Sequence, residues 1–388
     1  MKIVYCIKGT YNSGGMERIL ANITNYLADI LDYEVHVITT EQRGRAPFYT
    51  FSEKIKFYDL DIRYWDLPGF SFFKRKILFF YKQIIHRRKL ESLLFDIKPA
   101  ITVSMFDEDA FFLSDIKDNS IKVLATYFSK NVEIDFLRSR GGGFLKTIRA
   151  RQINRRNARL VRKYARFVTL TREDAGLWGD TGNLEVIPNA ISFYPKALPD
   201  YSSQSVIAVG RLDPQKGFDM LIEVWKLVAL QYPEWKLKIF GSGPFEKDLK
   251  QQIKNSDMEN HIFMKPAVSQ IIDEYLHSSV FILSSRYEGL PMVLLEAMAC
   301  GLPAVAFTCP CGPKDVIEDG INGYLVEQDN IYHMAEKISI MLNDQDKRKE
   351  MGLKAKEIVR EYSEEHVMKQ WDVLFKKLIK EKTSPDVN

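Results

Sequence analysis

The sequence predicts two α/β halves in tandem, each a doubly wound parallel sheet with helices on both faces. Short β-branched runs alternate with longer helical patterns along its whole length. Its 388 residues suit two domains of about 180 each, and a proline-containing irregular stretch lies near the middle. In the first half the expected strands are Lys2–Cys6, Val35–Ile38, Ile101–Ser104, Lys122–Thr126, Phe167–Leu170 and Glu185–Ile187. The second half offers Ser205–Val209, Trp235–Phe240, His261–Met264, Val280–Leu283 and Ala304–Phe307, separated by helices such as Met220–Tyr232 and Leu290–Ala299. A last strand-like run, Gly323–Val326, precedes a final helix at Ser363–Lys380. Pro188-Asn189-Ala190, Pro195, Pro199 and the Ser/Gln stretch up to Ser205 break the pattern. The expected division is therefore 1–190, a linker at 191–204, a second half at 205–362, the helix 363–380 and a flexible tail at 381–388. Ligands of open α/β sheets bind beyond the carboxyl ends of the strands, so the cleft between two such halves is where the chemistry belongs.

Composition narrows the class. With 46% hydrophobic and 12% aromatic residues the chain can bury real cores. No apolar run approaches the roughly 20 residues that cross a bilayer, and Met1–Ile7 leads straight into polar sequence without the pattern of a signal peptide. The expected location is the cytoplasm. Cys6, Cys300, Cys309 and Cys311 stand at no zinc-finger spacing, so reduced thiols and no structural metal are expected. The net charge of +4 is unevenly divided: residues 1–190 hold 31 Lys/Arg against 22 Asp/Glu, and residues 191–388 hold 24 against 29. The basic first half is expected to meet something anionic.

Three segments carry candidate chemistry. After the first strand, Gly14 and Gly15 open an amphipathic helix, an arrangement that lets backbone N–H groups approach an anion and that also makes an ordinary strand-to-helix turn. Val209-Gly210-Arg211-Leu212-Asp213-Pro214-Gln215-Lys216-Gly217 places Arg211 and Lys216 at the end of a strand, where two fixed cations suit a diphosphate whose charge grows as a bond to it breaks. The run from Ser284 to Pro303 contains Glu288-Gly289-Leu290-Pro291-Met292-Val293 and then Glu296. Glycine and proline straddle a helix start there, leaving the N–H groups of Met292 and Val293 for a phosphate. One carboxylate can then take sugar hydroxyls and the other ribose hydroxyls.

Two glutamates separated by seven residues around Gly-Leu-Pro resemble the signature of family 4 of the retaining glycosyltransferases, the group 1 glycosyl transferases with the GT-B fold. The resemblance spans nearly the whole chain, through Gly14-Gly15-Met16-Glu17, Ile187-Pro188-Asn189, Gly210-Arg211-Leu212, Lys216-Gly217, Gly241-Ser242-Gly243-Pro244 and Gly312-Pro313 with Asp319 to Val326. It implies two Rossmann-like domains facing across a cleft, an acceptor side at 1–190, a donor-binding side at 205–362, and a last helix crossing back to the first domain. It also implies that Arg211 and Lys216 neutralise the donor diphosphate, Glu296 holds the ribose, Glu288 contacts the transferred sugar, and the anomeric configuration is retained. No cofactor is implied, the nucleotide-sugar being a substrate. Cys309-Pro310-Cys311-Gly312-Pro313 looks like a variant found among surface-polysaccharide transferases, which favours a uridine diphosphate sugar over a guanosine diphosphate mannose.

One position departs from the pattern. Many relatives carry a histidine after the fifth strand, where this chain reads Ala125-Thr126-Tyr127-Phe128-Ser129-Lys130-Asn131. Either Tyr127 or Asn131 contacts the sugar there, or the donor differs, or activity is weak, or the chain is a silent fold-mate that only binds. The triplets Asp59-Leu60-Asp61 and Asp107-Glu108-Asp109 stand apart from any pattern of the metal-dependent transferase fold, so no metal is expected.

The acceptor side is strongly basic. Residues 68–90 combine Phe70, Phe72, Phe73, Phe79, Phe80 and Tyr81 with seven Lys/Arg and no acid, and residues 138–166 hold eleven Lys/Arg and no acid. Such mixtures suit an anionic membrane interface, and they equally suit a solvated face over core residues such as Leu145, Ile148, Leu160 and Tyr164. The expectation is peripheral contact at the inner face of the plasma membrane with a glycan or lipid-linked acceptor. No nucleic-acid recognition module is present.

Overall fold

The computed structural model describes residues 1–12, 14–66, 71–139, 143–191, 193–268 and 270–383. Phe70, the side chains of Phe72, Phe73 and Leu145, and the tail residues 384–388 lie outside the described residues. The first half comprises strands β1 (Lys2–Ile7), β2 (Glu34–Thr39), β3 (Lys56–Asp59), β4 (Ile101–Ser104), β5 (Ile121–Ala125), β6 (Arg166–Thr169) and β7 (Leu184–Val186), with helices α1 (Gly15–Asp29), α2 (Phe72–Ile97), α3 (Val132–Ser139), α4 (Phe144–Leu160) and α5 (Arg172–Trp178). The second half comprises β8 (Ser205–Val209), β9 (Lys236–Phe240), β10 (Ile262–Lys265), β11 (Val280–Leu283), β12 (Ala304–Phe307) and β13 (Gly323–Val326). Its helices are α6 (Phe218–Gln231), α7 (Glu246–Asn255), α8 (Ile271–Leu276), α9 (Met292–Ala299), α10 (Pro313–Val316), α11 (Ile331–Asn343), α12 (Gln345–Ile358) and α13 (Glu364–Thr383).

Among the described residues these strands form two parallel sheets, ordered β3-β2-β1-β4-β5-β6-β7 and β10-β9-β8-β11-β12-β13. Both orders reverse beside the first strand of their half, which opens a crevice at the carboxyl ends of β1/β4 and β8/β11. The central strands are buried along their whole length, as parallel strands covered by helices on both faces must be. The expected strands appear within two residues of their expected ends. The unexpected one is β3, an edge strand whose Lys56-Phe57-Tyr58-Asp59 is mostly exposed, so no buried apolar run announces it.

Contacts across the junction hold the halves together. The Asp315 carboxylate of α10 accepts the N–H groups of Arg172 and Glu173 at 2.7 and 3.4 Å and so caps α5, while Glu173 accepts the N–H of Cys311 at 3.0 Å and pairs with Lys314 at 2.6 Å. One apolar cluster runs from Leu20, Ile23 and Leu27 of α1 through Leu290 and Leu294 to Trp371 and Phe375 of α13. All four thiols are free and buried.

Helix α13 leaves the second half and returns to the first. Ile191 donates to the Tyr362 carbonyl at 2.8 Å where the two connecting segments cross. The Tyr33 hydroxyl then donates to Asp372 at 2.5 Å, Arg166 pairs with Glu381 at 2.9 Å, and Lys382 reaches the carbonyl of Asn119. The buried Val367, Met368, Trp371, Leu374, Phe375 and Leu378 supply most of the attachment, since a fully buried large side chain is worth about 1.5–3 kcal/mol and an exposed ion pair far less. Trp371→Ala should therefore cost about 3–5 kcal/mol of stability, read as a lowered midpoint in scanning calorimetry. An unchanged midpoint would mean that the polar contacts hold the helix alone.

Candidate active site

Two loops, one after β8 and one after β11, are bound to each other before any ligand is considered. Asp213 accepts the N–H of Gln215 at 3.1 Å and folds Pro214–Lys216 into a single 3-10 turn. Gly217 follows with φ +63°, and a Cβ there would lie 2.1 Å from the Ser284 carbonyl oxygen, so this approach requires glycine. Ser284 Oγ donates to the Lys216 carbonyl at 2.9 Å, Arg286 N–H to that of Gln215 at 2.7 Å, and Gln215 Nε2 to that of Tyr287 at 3.0 Å. The Arg286 guanidinium grips both Asp219 oxygens at 2.8 and 2.6 Å.

This binding fixes the chemistry-bearing groups. Lys216 Nζ lies 2.7 Å from Glu288 Oε1, which also accepts from Ser285 Oγ at 2.6 Å; the lysine and glutamate side chains are 16% and 6% exposed. Gly289, Leu290 and Pro291 then lead directly into α9. A Cβ on Gly312, at φ +106°, would meet the Pro291 ring at 2.3 Å, and one on Gly289 would stand 3.2 Å from the Tyr127 carbonyl oxygen of the opposite half. The start of α9 is thus pressed between β12's loop and the first half. The N–H groups of Met292 and Val293, in its first turn, have no acceptor within their own helix.

Two cavities flank Arg211. One, of about 490 Å³, is lined by Gly210, Arg211, Phe240, Gly241, Ser242, Gly243, Ala267, Val268 and Ile271, with Glu296 and Arg18. The other, about 280 Å³, lies between Phe136 of α3 and Arg211, Asp213, Pro214, Gln215, Pro244 and Tyr287. The Arg211 side chain is 68% exposed and paired with Asp213 at 2.5 Å, so it is held over the opening. Gly241 and Gly243 have no room for side chains, because a Cβ would come within 1.9 Å of the Gly210 oxygen and 2.4 Å of the Leu212 oxygen. At the floor of the larger cavity Glu296 is 6% exposed, and Arg18 of α1 reaches across the cleft to it at 2.8 Å. Burial pushes the Glu296 carboxyl up, and the Arg18 guanidinium pulls it back.

The opposing half contributes differently from what the sequence led us to expect. Gly15 is open at the start of α1, and Glu17 folds back over Gly14. Tyr127 lends the cleft its backbone: the ring is 8% exposed in the core beside Tyr5, the hydroxyl has no hydrogen-bond partner among the described residues, and burial pushes it up. Asn131 accepts from Asn154 at 3.0 Å. The structure therefore brings Lys216, Glu288 and the start of α9 together, and Gly210, Arg211, Gly241 and Glu296 beside them, but does not turn the Tyr127 side chain toward that group. Of the acidic triplets, Asp59 accepts the N–H of Arg43 at 2.9 Å, Asp61 pairs with Arg63 at 2.7 Å, and Asp107 accepts the N–H of Lys8 at 2.8 Å. Burial raises Asp107 to about 7 and Asp109 to about 8. Among the described residues no three His, Cys, Asp or Glu side chains gather as a metal site.

With that geometry in view, comparison with known proteins is decisive about family. The model of the glycosyl transferases group 1 family matches residues 195–358. An uncharacterized glycosyltransferase of Haemophilus influenzae is 32% identical over 374 residues, covering 95% of this chain and 98% of that protein. The chain belongs to the group 1 glycosyl transferases. The poly(ribitol-phosphate) alpha-N-acetylglucosaminyltransferase of Staphylococcus aureus is 32% identical over 201 residues, 50% of this chain and 40% of that longer protein. The solved structure of S. aureus TarM with fondaparinux, alpha-GlcNAc-glycerol and UDP superposes with a TM-score of 0.74 at 19% identity over 96% of this chain and 99% of that one, which establishes the GT-B fold.

Of the first-half residues that line these two cavities, Arg18 and Phe136 were not singled out from the sequence. Arg18 directly follows the Gly14-Gly15-Met16-Glu17 motif, so its position was readable; that it crosses the cleft depends on how the halves close. Phe136 lies on α3, an eight-residue helix with no motif to mark it.

Proposed function

We propose that this group 1 glycosyltransferase transfers a sugar, with retention and without a metal ion, from a uridine diphosphate sugar to a glycan or lipid-linked acceptor of the cell envelope at the cytoplasmic face of a membrane. The observation that carries the reading is the Lys216–Glu288 pair at 2.7 Å, set immediately ahead of α9 and beside the cavity that holds Arg211 and Glu296. In it the nucleoside occupies the 490 Å³ cavity, its base against Ala267, Val268 and Ile271 and its ribose hydroxyls on Glu296. The diphosphate lies between Lys216, Arg211 and the first N–H groups of α9, whose helix dipole favours an anion. The sugar lies toward Glu288 and the smaller cavity.

The bond from the anomeric carbon to the diphosphate oxygen breaks as the acceptor oxygen bonds to the same face of that carbon, and the departing diphosphate oxygen takes the acceptor's proton. Preorganised cations at the place where negative charge grows supply most of the rate. Support for retention and for a uridine nucleotide comes from relatives: the S. aureus transferase is named for alpha transfer, and TarM was solved with UDP.

The double variant Arg211→Ala/Lys216→Ala should reduce kcat/KM at least about a thousandfold, about 4 kcal/mol of transition-state stabilisation, measured by UDP release. Wild-type activity should persist in EDTA. A variant within tenfold of wild type, or strict dependence on added Mn²⁺, contradicts the scheme. UDP binding without turnover on any sugar or acceptor would favour the silent fold-mate, the reading that the missing histidine beside Tyr127 motivates.

Arg18 provides a second test. A carboxylate accepts from two ribose hydroxyls only while ionised, and Glu296 is already raised by burial with Arg18 opposing it. Arg18→Ala should therefore raise the Glu296 pKa further and weaken UDP binding increasingly as pH falls, read from Kd measured over a pH series for variant and wild type. Parallel titration curves for variant and wild type would show that Arg18 does not act through Glu296.

A further inference from the structure

Helix α2 is built to face two ways, and one of its faces has no partner among the described residues. Its inner face buries His86, Leu90 and Leu94, and Lys82 Nζ donates to the carbonyls of Ile62 and Arg63 at 2.6 and 2.8 Å. The opposite face carries Ile77, Phe80, Tyr81 and Ile84, which are 70%, 68%, 60% and 37% exposed. Their spacing of three, four and seven residues sets them on one stripe of the helix. A helix that packs one face into a domain normally presents polar residues on the other, and a contiguous exposed apolar stripe marks a binding surface. Lys74 precedes the stripe by three residues and Arg88 follows it by four, so cations close both ends.

The charge around the stripe identifies what it meets. Helices α2 and α4 both pack on the segment that follows β4, where the His86 ring of α2 meets Phe112 at 4.9 Å and the Arg156 guanidinium of α4 meets Phe111 at 4.3 Å. Unlike α2, the described part of α4 exposes arginines such as Arg149, Arg155 and Arg159 and no large apolar side chain. Neither 68–90 nor 138–166 contains an acid. An apolar stripe bracketed by cations beside an acid-free arginine face matches the headgroup–acyl boundary of an anionic bilayer, and the same face of a second copy would set cation against cation. Position agrees, because α2 begins after the carboxyl end of β3 and ends before the amino end of β4. Its first half therefore stands at the rim where the cleft opens.

We propose that the outer face of the first half of α2 inserts Ile77, Phe80, Tyr81 and Ile84 into an anionic lipid surface while the arginines of α4 bind headgroups beside it. The purpose of this docking rests on the transferase reading, since it would bring a lipid-linked acceptor to the cleft without a membrane-spanning helix; among the described residues no helix is long and apolar enough to cross a membrane.

The experiment is sedimentation of the full chain with phosphatidylglycerol-containing vesicles and with pure phosphatidylcholine vesicles. Wild type should partition onto the anionic vesicles roughly tenfold more strongly than onto the neutral ones. The variant I77S/F80S/I84S should lose roughly tenfold of that binding, and R149Q/R155Q/R159Q, which alters only exposed side chains, should lose severalfold and become less sensitive to added salt. Equal partition onto both vesicles, serine and glutamine variants that both bind like wild type, or a wild-type dimer in size-exclusion chromatography that the serine variant abolishes would overturn the proposal. UDP binding measured on the same samples separates the two readings: a chain that binds UDP but no vesicles refutes docking alone, and one that binds vesicles but no UDP keeps docking and refutes the transferase site.

Discussion

The approach of the loop after β8 to the loop after β11 is the constraint on which the site depends. Gly217 sits against the Ser284 carbonyl where no side chain fits, and the bonds from Ser284, Arg286 and Gln215 fix one loop to the other. Only because of that does an ammonium on the first loop meet a carboxylate on the second at 2.7 Å. A buried ion pair contributes little net stability, because desolvating both charges offsets most of their attraction. Its value here is positional: a fixed cation, already stripped of much of its water, next to a helix start that offers N–H donors.

The second constraint is the closure of the halves. Gly289 has the Tyr127 backbone against it, Asp315 caps a helix of the other half, and α13 packs its Trp371 and Phe375 into the first domain. Arg18 is the one among these contacts that also touches the candidate nucleotide cavity, so domain closure and the state of Glu296 are physically linked.

Much of this was legible in the sequence, for reasons that differ by element. The central strands are buried apolar runs bounded by glycine and proline, and burial is what sequence patterns report best. The residues of the β8 and α9 motifs were readable as candidates because the proposed diphosphate would need cations and free N–H groups at strand and helix ends, which restricts the residue types allowed. Strand β3 was not, since an exposed edge strand carries no apolar signal. Nor were the inward turn of Tyr127 and the crossing of Arg18, because both depend on how one half packs against the other. Both basic segments lack acids, and exposure separated them: α2 pairs its cations with an exposed apolar stripe, whereas the described part of α4 exposes only basic and polar side chains.

The most direct test of the central claim, that a pyrophosphate is held between the β8 loop and the start of α9, is a crystal structure of the full chain with UDP bound. The account predicts phosphate oxygens within about 3 Å of Lys216 Nζ and of the N–H groups of Met292 or Val293, with the ribose on Glu296. A diphosphate bound away from Lys216 and from the first turn of α9, with the cleft otherwise intact, would contradict it.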